Sequence, residues 1–463
     1  MQFVLILAVM TALVIAENSP AQPVSGALIR LAMAGCGVAI VVGFAAISSG
    51  VIARRLRSDV RRRHLLLERF KRLRRFHAGL WLIVAGATAY WLGWGQLVRF
   101  NWHLDHAFLL DDILVLAPVL LPLVLSWAAF YEVDRAILAG RTGEGSLQAR
   151  APSRLRYIGL HARHYLGLLL LPVLGLLAVQ DAAELLLPGV LQSDYAALIH
   201  VPPLLLLFLL LPLLLRSVWK TQPLPGGPLR DRLESCARRA GFRAREILVW
   251  HTDGMMVNAA VAGFLPRLRY VFLTDGLLET LTDEEIEAVF GHEIGHVKHR
   301  HLSLRVMAMI APLSLWFLLA QMFPQTGNYL QFWLGEGGIA TGGRLGLLAL
   351  ACMAAYALVV FGLFSRVLEC QADLFACRRL AANWPDESLD TFISALEKLS
   401  AANGGNRKAG GWQHASIARR INFLNRLARD PKRELRFQGQ VRLLGILVVG
   451  IVFSPLAYRL LLG

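Results

Sequence analysis

Long apolar blocks alternate with short polar segments over most of this chain. Each block is close to the roughly 20 residues that an α-helix needs to cross a bilayer. In lipid such a block must be helical, because every backbone amide needs a partner within its own segment. The pattern therefore predicts a mainly α-helical, polytopic membrane protein. About nine transmembrane helices are expected, at residues 2–16, 27–53, 78–98, 113–131, 165–180, 196–215, 303–323, 345–365 and 441–462.

Composition agrees with this pattern and excludes a purely soluble or disordered protein. Of the 463 residues, 56% are hydrophobic and 17% are charged, against about 25% charged in soluble domains. The first block lacks the positively charged start of a signal peptide, so we expect an uncleaved anchor. The five cysteines are odd in number and form no C-x-x-C pair, which predicts neither a disulfide framework nor a thiolate zinc site.

Basic residues are unevenly distributed among the loops of this chain, whose net charge is +16. Eleven Lys and Arg residues lie between Arg54 and Arg75. Three other loops contain none: 17–25, 181–195 and 324–343. Because short basic loops stay in the cytoplasm, we expect the N-terminus and the polar regions 217–302 and 366–440 to be cytoplasmic, with the chain in a bacterial inner membrane.

The basic segment 54–75 has two possible interpretations. A nucleic-acid patch is one of them. The other is a juxtamembrane segment that attracts anionic lipid, at about 1 kcal/mol for each basic residue. Its apolar residues recur at roughly helical spacing, as in a helix lying on a membrane surface. We therefore expect the lipid bilayer as a partner and no nucleic acid.

Three regions follow one another along the chain. Residues 1–220 are expected to form an N-terminal membrane region with about six transmembrane helices. The breaker cluster Pro223–Pro228 then opens a mixed α/β region, 221–440, which the seventh and eighth spans interrupt. Residues 441–463 are expected to form a C-terminal transmembrane helix.

Shorter periodic patterns predict the elements of the mixed region. The predicted elements include a helix at Leu229–Ala240. They also include three strands, at Glu246–His251, Asn258–Gly263 and Arg269–Leu273. Thr282 with Glu285 three residues later forms a capping box, which predicts the start of a helix at Asp283. That helix is expected to continue through His301.

The predicted helix contains the motif His292-Glu293-Ile294-Gly295-His296. Histidines at i and i+4 lie one above the other on a helix, so both imidazoles can bind one Zn²⁺. The glutamate between them is then placed to act as a general base. The motif therefore predicts a zinc site on this helix.

A catalytic zinc has three protein ligands and one open position. Glu369, at the cytoplasmic end of the eighth span, is the predicted third ligand. Asp373 lies one turn further on the same face, where it could accept the free N–H of a ligating histidine. The alternative for Glu369 is a carboxylate that reaches the membrane surface without a function.

Four stretches resemble the membrane-embedded zinc metalloproteases, the family that includes the HtpX-like proteases and the type I CAAX prenyl endopeptidases. The stretches are Asn258–Val261, Leu273–Leu278, Glu369–Asp373 and His414–Ile421, within about residues 225–425. The resemblance implies a cytoplasmic α/β metalloprotease domain of the zincin (gluzincin) type with one Zn²⁺ per chain. Two features depart from the family: Ala415 replaces a usual proline, and six spans precede the domain.

The same resemblance implies a role for each matched residue. His292, His296 and Glu369 look like the zinc ligands, Glu293 like the general base and Asp373 like a support for a ligand. The residues Asn258, Ala259, Ala260 and Val261 look like an edge strand that pairs with an extended peptide substrate.

His414 looks like the substrate or oxyanion histidine of the family, and Arg420 like its companion. We expect Arg420 to hold Glu369 or His414 through a charge-assisted bond. The alternative for this pair is a loop histidine and a solvated arginine. His299 and His301 follow the zinc motif, and we expect them to be polar helix residues near the membrane surface rather than further ligands.

These expectations together predict an integral membrane zinc endopeptidase. Its substrates would be membrane or membrane-associated proteins, cleaved on the cytoplasmic side; prenylated substrates follow from the resemblance alone. The alternative is a non-catalytic membrane scaffold with a structural zinc, which four protein ligands would close and which would not need Glu293. A transporter is less favoured, because few polar residues lie deep in the spans.

Overall fold

The computed structural model describes most of the chain, and the structural statements below concern that part. The described residues are 2–58, 63–105, 107–139, 152–191, 193, 197–323, 348–380, 386–402, 407, 410–411 and 415–462. Two compact units are present, and the second begins at Lys220.

The first unit is helical. Its helices are α1 (Gln2–Glu17), α2 (Ala27–Ser58), α3 (Arg63–Tyr90), α4 (Trp94–Gln96), α5 (Leu110–Val115), α6 (Ala117–Ala139), α7 (Arg154–His161), α8 (Leu168–Leu186), α9 (Pro188–Leu191) and α10 (Ala197–Val218). Short π-helical turns follow α4, at Leu97–Asn101, and α7, at Ala162–Gly167. Hydrogen bonds join helices that are distant in sequence: Trp81 of α3 donates to the Val119 carbonyl of α6 at 2.9 Å.

Seven helices of the described chain are long and apolar enough to cross a membrane. They are Ala27–Ser58, Ala117–Ile137, Arg154–Leu186, Val201–Val218, His301–Met322, Leu348–Arg378 and Lys432–Leu461. The bent pair Leu65–Tyr90 and Trp94–Asn101 would add an eighth. The predicted mainly helical, multi-pass chain is confirmed.

The number nine stays a prediction, for two local reasons. Helix α1 has 16 residues, fewer than the roughly 20 that span a bilayer. The third predicted span is bent by 54°, and Gly93 lies at the bend in a left-handed conformation, with φ of 60°. Glycine adopts this conformation without the steric cost that other residues carry, so it ends a helix easily.

The described part of the second unit combines a small sheet with helices. The strands are β1 (Thr221–Pro223), β2 (Glu246–Trp250), β3 (Ala259–Ala262) and β4 (Tyr270–Thr274). The helices are α11 (Pro228–Arg239), α12 (Asp275–Thr280), α13 (Asp283–Lys298), α14 (His301–Met322), α15 (Gly362–Leu380), α16 (Asp386–Ala402), α17 (Ile417–Arg429) and α18 (Pro431–Leu462). A 3₁₀ turn precedes β4 at Pro266–Leu268, and a π-helical turn precedes α15 at Ala357–Phe361.

The sheet has the order β1-β2-β4-β3. Strands β2 and β4 are parallel, and both outer strands pair antiparallel. The three predicted strands are present with ends shifted by a residue or so. Strand β1 was not predicted, because it ends inside the proline-rich breaker cluster. Its position leaves β3 at the opposite edge of the sheet.

The helix α13 packs on the sheet and on α15. Its Phe290 and Ile294 are fully buried in a core with Val271 and Leu273 of β4. Gly295 faces α15 so closely that a Cβ atom there would lie 3.2 Å from the Cα of Ala372. Glycine at this position therefore permits the close approach that brings Glu369 of α15 beside the two motif histidines.

Both ends of α13 have clear causes. The predicted capping box is confirmed: Thr282 Oγ1 accepts from the Glu285 amide, and the Glu285 carboxylate accepts from the Thr282 amide at 2.9 Å. The expected continuation through His301 is wrong. Helix α13 ends at Lys298, because Arg300 is left-handed with φ of 55° and the chain turns into α14.

Candidate metal centre

Three donor groups from α13 and α15 converge on one point. The two Nε2 atoms of His292 and His296 lie 3.1 Å apart. Oxygens of Glu369 lie 3.6 Å from His292 Nε2 and 3.4 Å from His296 Nε2. All three residues belong to a group able to hold a metal ion.

The spacing of these atoms fits zinc. Nitrogen and carboxylate ligands lie about 2.0–2.2 Å from Zn²⁺ in tetrahedral sites, which puts two ligand atoms about 3.3 Å apart. The observed separations of 3.1, 3.4 and 3.6 Å bracket that value. Among the described residues three protein donors meet here, which is the number of protein ligands in a catalytic zinc site.

Asp373 and Arg420 lie behind His292. The Nδ1 atom of His292 is 2.8 Å from Asp373 Oδ1, on the side of the ring opposite the donor atom. Arg420 Nε donates to Asp373 Oδ2 at 2.7 Å, and its Nη2 donates to Oδ1. Asp373 is fully buried and Arg420 is 11% exposed. The expectations of a solvated Arg420, or of one bonded to Glu369, are therefore wrong: Asp373 is nearer and requires a counter-charge in its buried position.

A different set of residues lies behind His296. Its Nδ1 atom is 2.8 Å from Nδ1 of His301, and His301 Nε2 is 2.9 Å from Gln371 Oε1. Gln371 in turn donates to Gln438 Oε1 at 2.5 Å. His301 is completely buried and is the first residue of the candidate span α14, so it contacts a ligand of the site rather than solvent, and its place near the membrane surface stays a prediction. The break at Arg300 turns His301 back onto His296, and helical periodicity alone gave no signal for this.

Arg305 supports the third donor. Its Nη2 donates to Glu369 Oε1 at 2.6 Å. The sequence did not predict this role. An arginine near the start of a membrane span usually extends its charged end to the membrane surface. Here it compensates the charge of Glu369, which is 2% exposed.

Electrostatics separate the two histidines. Burial disfavours a protonated His292, but hydrogen bonding and attraction by Asp373 and Glu369 raise its pKa to about 9. Burial and repulsion by His292 hold the pKa of His296 well below its usual value. A histidine binds metal through an unprotonated nitrogen, so a metal ion held at this site would have to displace a proton from His292.

Glu293 lies between the histidines and next to the edge strand β3. Burial raises the pKa of its carboxyl group, and the charge of Glu369 adds to this effect. His292, Arg305 and a hydrogen bond from the Val261 amide oppose it. A carboxylate whose pKa is raised toward neutrality is a better general base near pH 7.

The motif Thr274-Asp275-Gly276 fixes the start of β3. Thr274 Oγ1 accepts from the backbone N–H of Asn258 at 2.9 Å and donates to its backbone carbonyl oxygen at 3.0 Å. Thr252, which precedes β3 in the chain, donates from Oγ1 to Asp275 Oδ1 at 2.6 Å. A Cβ atom on Gly276 would lie 2.5 Å from the Met256 carbonyl oxygen, so glycine is required there.

A cleft of about 970 Å³ contains the three donors, Glu293 and β3. Asn258, Ala259, Ala260 and Val261 are in its lining. Phe392, Leu396 and Leu399 of α16 are also in its lining. The pairing of β3 with β4 runs from Ala259 opposite Leu273 to Ala262 opposite Tyr270, and β3 is the outermost strand of the sheet. Its second edge is therefore placed to accept another strand.

His414 lies outside the described residues, so its predicted role stays a prediction. The residues nearest to it that the structure describes, Gly411 and Ala415, line the cleft. Arg420 lines the cleft as well.

Comparisons with known proteins agree with this geometry. Residues 223–428 match peptidase family M48. The chain is similar to a protease HtpX homolog of Aeropyrum pernix, with 30% identity over 207 residues, 43% of this chain and 63% of that protein. It is also similar to the CAAX prenyl protease 1 homolog of Arabidopsis thaliana, with 30% identity over 34% of this chain and 38% of that protein. The chain thus spans less than two thirds of the length of these relatives.

A solved structure is similar as well. The crystal structure of S. mikatae Ste24p matches at 18% identity and a TM-score of 0.44, over 87% of this chain and 100% of that chain. That score is too low to establish a shared overall fold. The family match instead rests on the region that contains the donor group and the cleft. The predicted resemblance to the membrane-embedded zinc metalloproteases is therefore confirmed, through peptidase family M48 at residues 223–428.

Proposed function

We propose that this chain is an integral membrane zinc-dependent endopeptidase. It would hydrolyse peptide bonds of membrane or membrane-associated proteins on the cytoplasmic side. One observation carries the proposal: three donor atoms lie at zinc-like separations of 3.1–3.6 Å, with the carboxylate of Glu293 in the same cleft.

His292, His296 and Glu369 would hold one Zn²⁺ per chain. When bound, zinc supplies a Lewis acid that polarises the scissile carbonyl and makes water acidic enough to lose a proton near neutral pH. Glu293 would accept a proton from the attacking water as the water oxygen adds to the scissile carbonyl carbon, and would pass that proton to the amine as the C–N bond breaks, so the products are two peptides and no covalent intermediate forms. Asp373 keeps the ring of His292 in place.

An extended substrate would pair with the open edge of β3. Main-chain hydrogen bonds then supply affinity, and alternate side chains of the substrate enter the cleft. The small side chains of Ala259, Ala260 and Ala262 leave room for such a segment. The Val261 amide, which donates to Glu293 in the free protein, lies where the substrate chain has to pass the base.

His414 is the proposed donor to the oxyanion of the substrate carbonyl. One such donor is commonly worth about 2.7–4 kcal/mol of transition-state stabilisation. The support is the match of residues 414–421 to the family and the presence of Gly411 and Ala415 in the cleft lining. Arg420 acts through Asp373 and is a positioning residue.

The experiment compares the membrane proteomes of cells that carry the wild type and Glu293→Gln. We expect protein fragments whose new termini depend on Glu293, and they should accumulate in the wild type alone. A scaffold with a structural zinc needs no base, so identical fragment patterns in both strains, with both proteins present at equal levels, would contradict the endopeptidase.

We propose, together with the function, that the cleft faces the cytoplasm, because the loop 54–75 is strongly basic. A cysteine placed in 324–343 should react with a reagent that does not cross the membrane. A cysteine placed in 400–412 should be protected from that reagent in intact cells. Labelling of the second site from outside would put the cleft on the other side of the membrane and would change the class of substrate.

A further inference from the structure

A chain of three polar side chains leads away from His296 into the membrane helices. His301 is the first residue of α14, Gln371 belongs to α15 and Gln438 belongs to α18. The links measure 2.8 Å from His296 to His301, 2.9 Å from His301 to Gln371 and 2.5 Å from Gln371 to Gln438. Each of the three helices is a candidate membrane span.

Burial makes the direction of these hydrogen bonds important. His301 is 0% exposed and Gln371 is 6% exposed, so solvent does not compete for their polar atoms. A buried donor facing a donor, or an acceptor facing an acceptor, costs about 1–3 kcal/mol. The chain therefore favours an arrangement in which every link has one donor and one acceptor.

One arrangement alone is compatible with a metal ion at His296. Binding through Nε2 requires a lone pair there, so the proton of a neutral ring lies on Nδ1 and is donated to Nδ1 of His301. The proton of His301 then lies on Nε2 and is donated to Gln371 Oε1. Gln371 Nε2 donates to Gln438 Oε1, which is the orientation that both amides have.

The reversed arrangement excludes the metal. If Gln371 presented its amide nitrogen to His301, His301 Nε2 would have to accept. The proton of His301 would move to Nδ1 and would be donated to His296, whose own proton would then lie on Nε2. That atom faces the donor group, and a protonated nitrogen cannot bind Zn²⁺.

We propose that Gln438, Gln371 and His301 are positioning residues that select the metal-binding tautomer of His296. Residues from α14, α15 and α18 would thus determine which ring nitrogen of His296 carries the proton. None of these residues is charged. The inference rests on the proposed function only in taking His296 as a zinc ligand. It goes further by assigning roles to His301, Gln371 and Gln438.

The test measures zinc affinity in the purified full-length protein for the matched variants Gln371→Glu and Gln371→Met. An ionised carboxylate at this position accepts from His301 and has no proton with which to reverse the chain, so Gln371→Glu should bind zinc within about threefold of the wild type. Methionine keeps the size of the side chain but accepts no strong bond. Gln371→Met should lose about 10–100-fold in affinity, the usual effect of removing a partner behind a ligating histidine.

Chelator competition gives the dissociation constants, and the absorption spectrum of the Co²⁺-loaded protein reports the ligand geometry without any need for hydrolysis. Equal affinities of Gln371→Met and the wild type would overturn the inference. Equal losses in both variants would overturn it too, because they would indicate a packing role. Failure of the wild type itself to bind zinc would instead contradict the proposed function.

A second pair of variants covers the case in which changes at Gln371 prevent folding. His301→Asn places an amide near the position of Nδ1 and can still accept from His296, whereas His301→Leu cannot. We expect near wild-type zinc affinity for His301→Asn and about 10–100-fold weaker binding for His301→Leu. Equal affinity in these two variants would overturn the inference.

Discussion

Two histidines one helical turn apart face the same point but are supported in opposite ways. Behind His292 lies an ionised pair, with Nδ1 2.8 Å from Asp373 and Asp373 bonded to Arg420. Behind His296 lies a chain of uncharged groups that begins with His301. A carboxylate can only accept, so Asp373 fixes the proton of His292 by itself. A neutral imidazole can donate or accept at Nδ1, so the support of His296 has to be ordered link by link.

This difference also explains why one support was predicted and the other was not. Asp373 follows Glu369 by one turn of the same helix, a spacing that is visible in the sequence. His301, Gln371 and Gln438 come from three helices, and they meet only because α13 stops at Lys298 and the chain turns at Arg300. A left-handed arginine has no sequence signature, since this conformation is ordinarily taken by glycine.

The largest effect is expected from removing the charge behind His292. Asp373→Asn leaves Arg420 buried without its counter-charge, and breaking a buried pair in this way costs about 3–5 kcal/mol of unfolding free energy. Zinc affinity should fall by about 10–100-fold. Denaturant unfolding in detergent and chelator competition measure the two quantities.

The double variant Asp373→Asn/Arg420→Gln serves as the control. It removes both charges, so it should regain part of the stability that Asp373→Asn loses, while zinc affinity stays low. Wild-type zinc affinity in Asp373→Asn would mean that His292 does not need the charged support of Asp373.

A smaller effect is expected at His414, which is not among the residues proposed to support His292 or His296. If it donates to the substrate carbonyl, His414→Ala should keep full zinc content and peptide affinity and lose turnover by at least about tenfold. His414→Phe should be no better. Turnover close to that of the wild type in fully metallated His414→Ala would leave zinc and Glu293 as the catalytic groups.

The smallest effect is expected at the start of α13, about two turns before His292. Burial disfavours an ionised Glu285, but hydrogen bonds from Lys398, Ser394 and the Thr282 amide outweigh it and lower the pKa of this carboxyl group. A group with a lowered pKa stabilises the folded state above its ordinary pKa of about 4.3. That contribution is lost as the pH falls through the pKa of the folded state.

Glu285→Gln keeps an acceptor for the Thr282 amide but loses the ion pair with Lys398, so it should cost up to about 1 kcal/mol at pH 7, the usual upper value of a partly exposed ion pair. The difference from the wild type should shrink at acidic pH, and zinc affinity at pH 7 should not change. Thermal unfolding of both proteins between pH 7 and pH 3 measures this. A difference that does not depend on pH would mean that the charge of Glu285 contributes nothing.

Local signals predicted much of the second unit. The capping box, the three strands and the zinc motif all depend on residues that are close in sequence. The contacts that were misjudged are long-range or depend on a break in a helix. Arg420 meets Asp373 rather than Glu369, because α15 and α17 pack in a way that no periodicity encodes. Strand β1 was missed for a similar reason, since Pro223 pairs only because it lies at the edge of the sheet.

The most direct test of the account is the zinc content of three purified proteins, measured together with peptide hydrolysis. The wild type should contain one zinc per chain and be active. Glu293→Gln should contain one zinc and be inactive, because a base is not a ligand, and Glu369→Ala should contain much less than one. Full zinc occupancy in Glu369→Ala, or retained hydrolysis in Glu293→Gln, would contradict the central claim that these residues are a metal ligand and the general base.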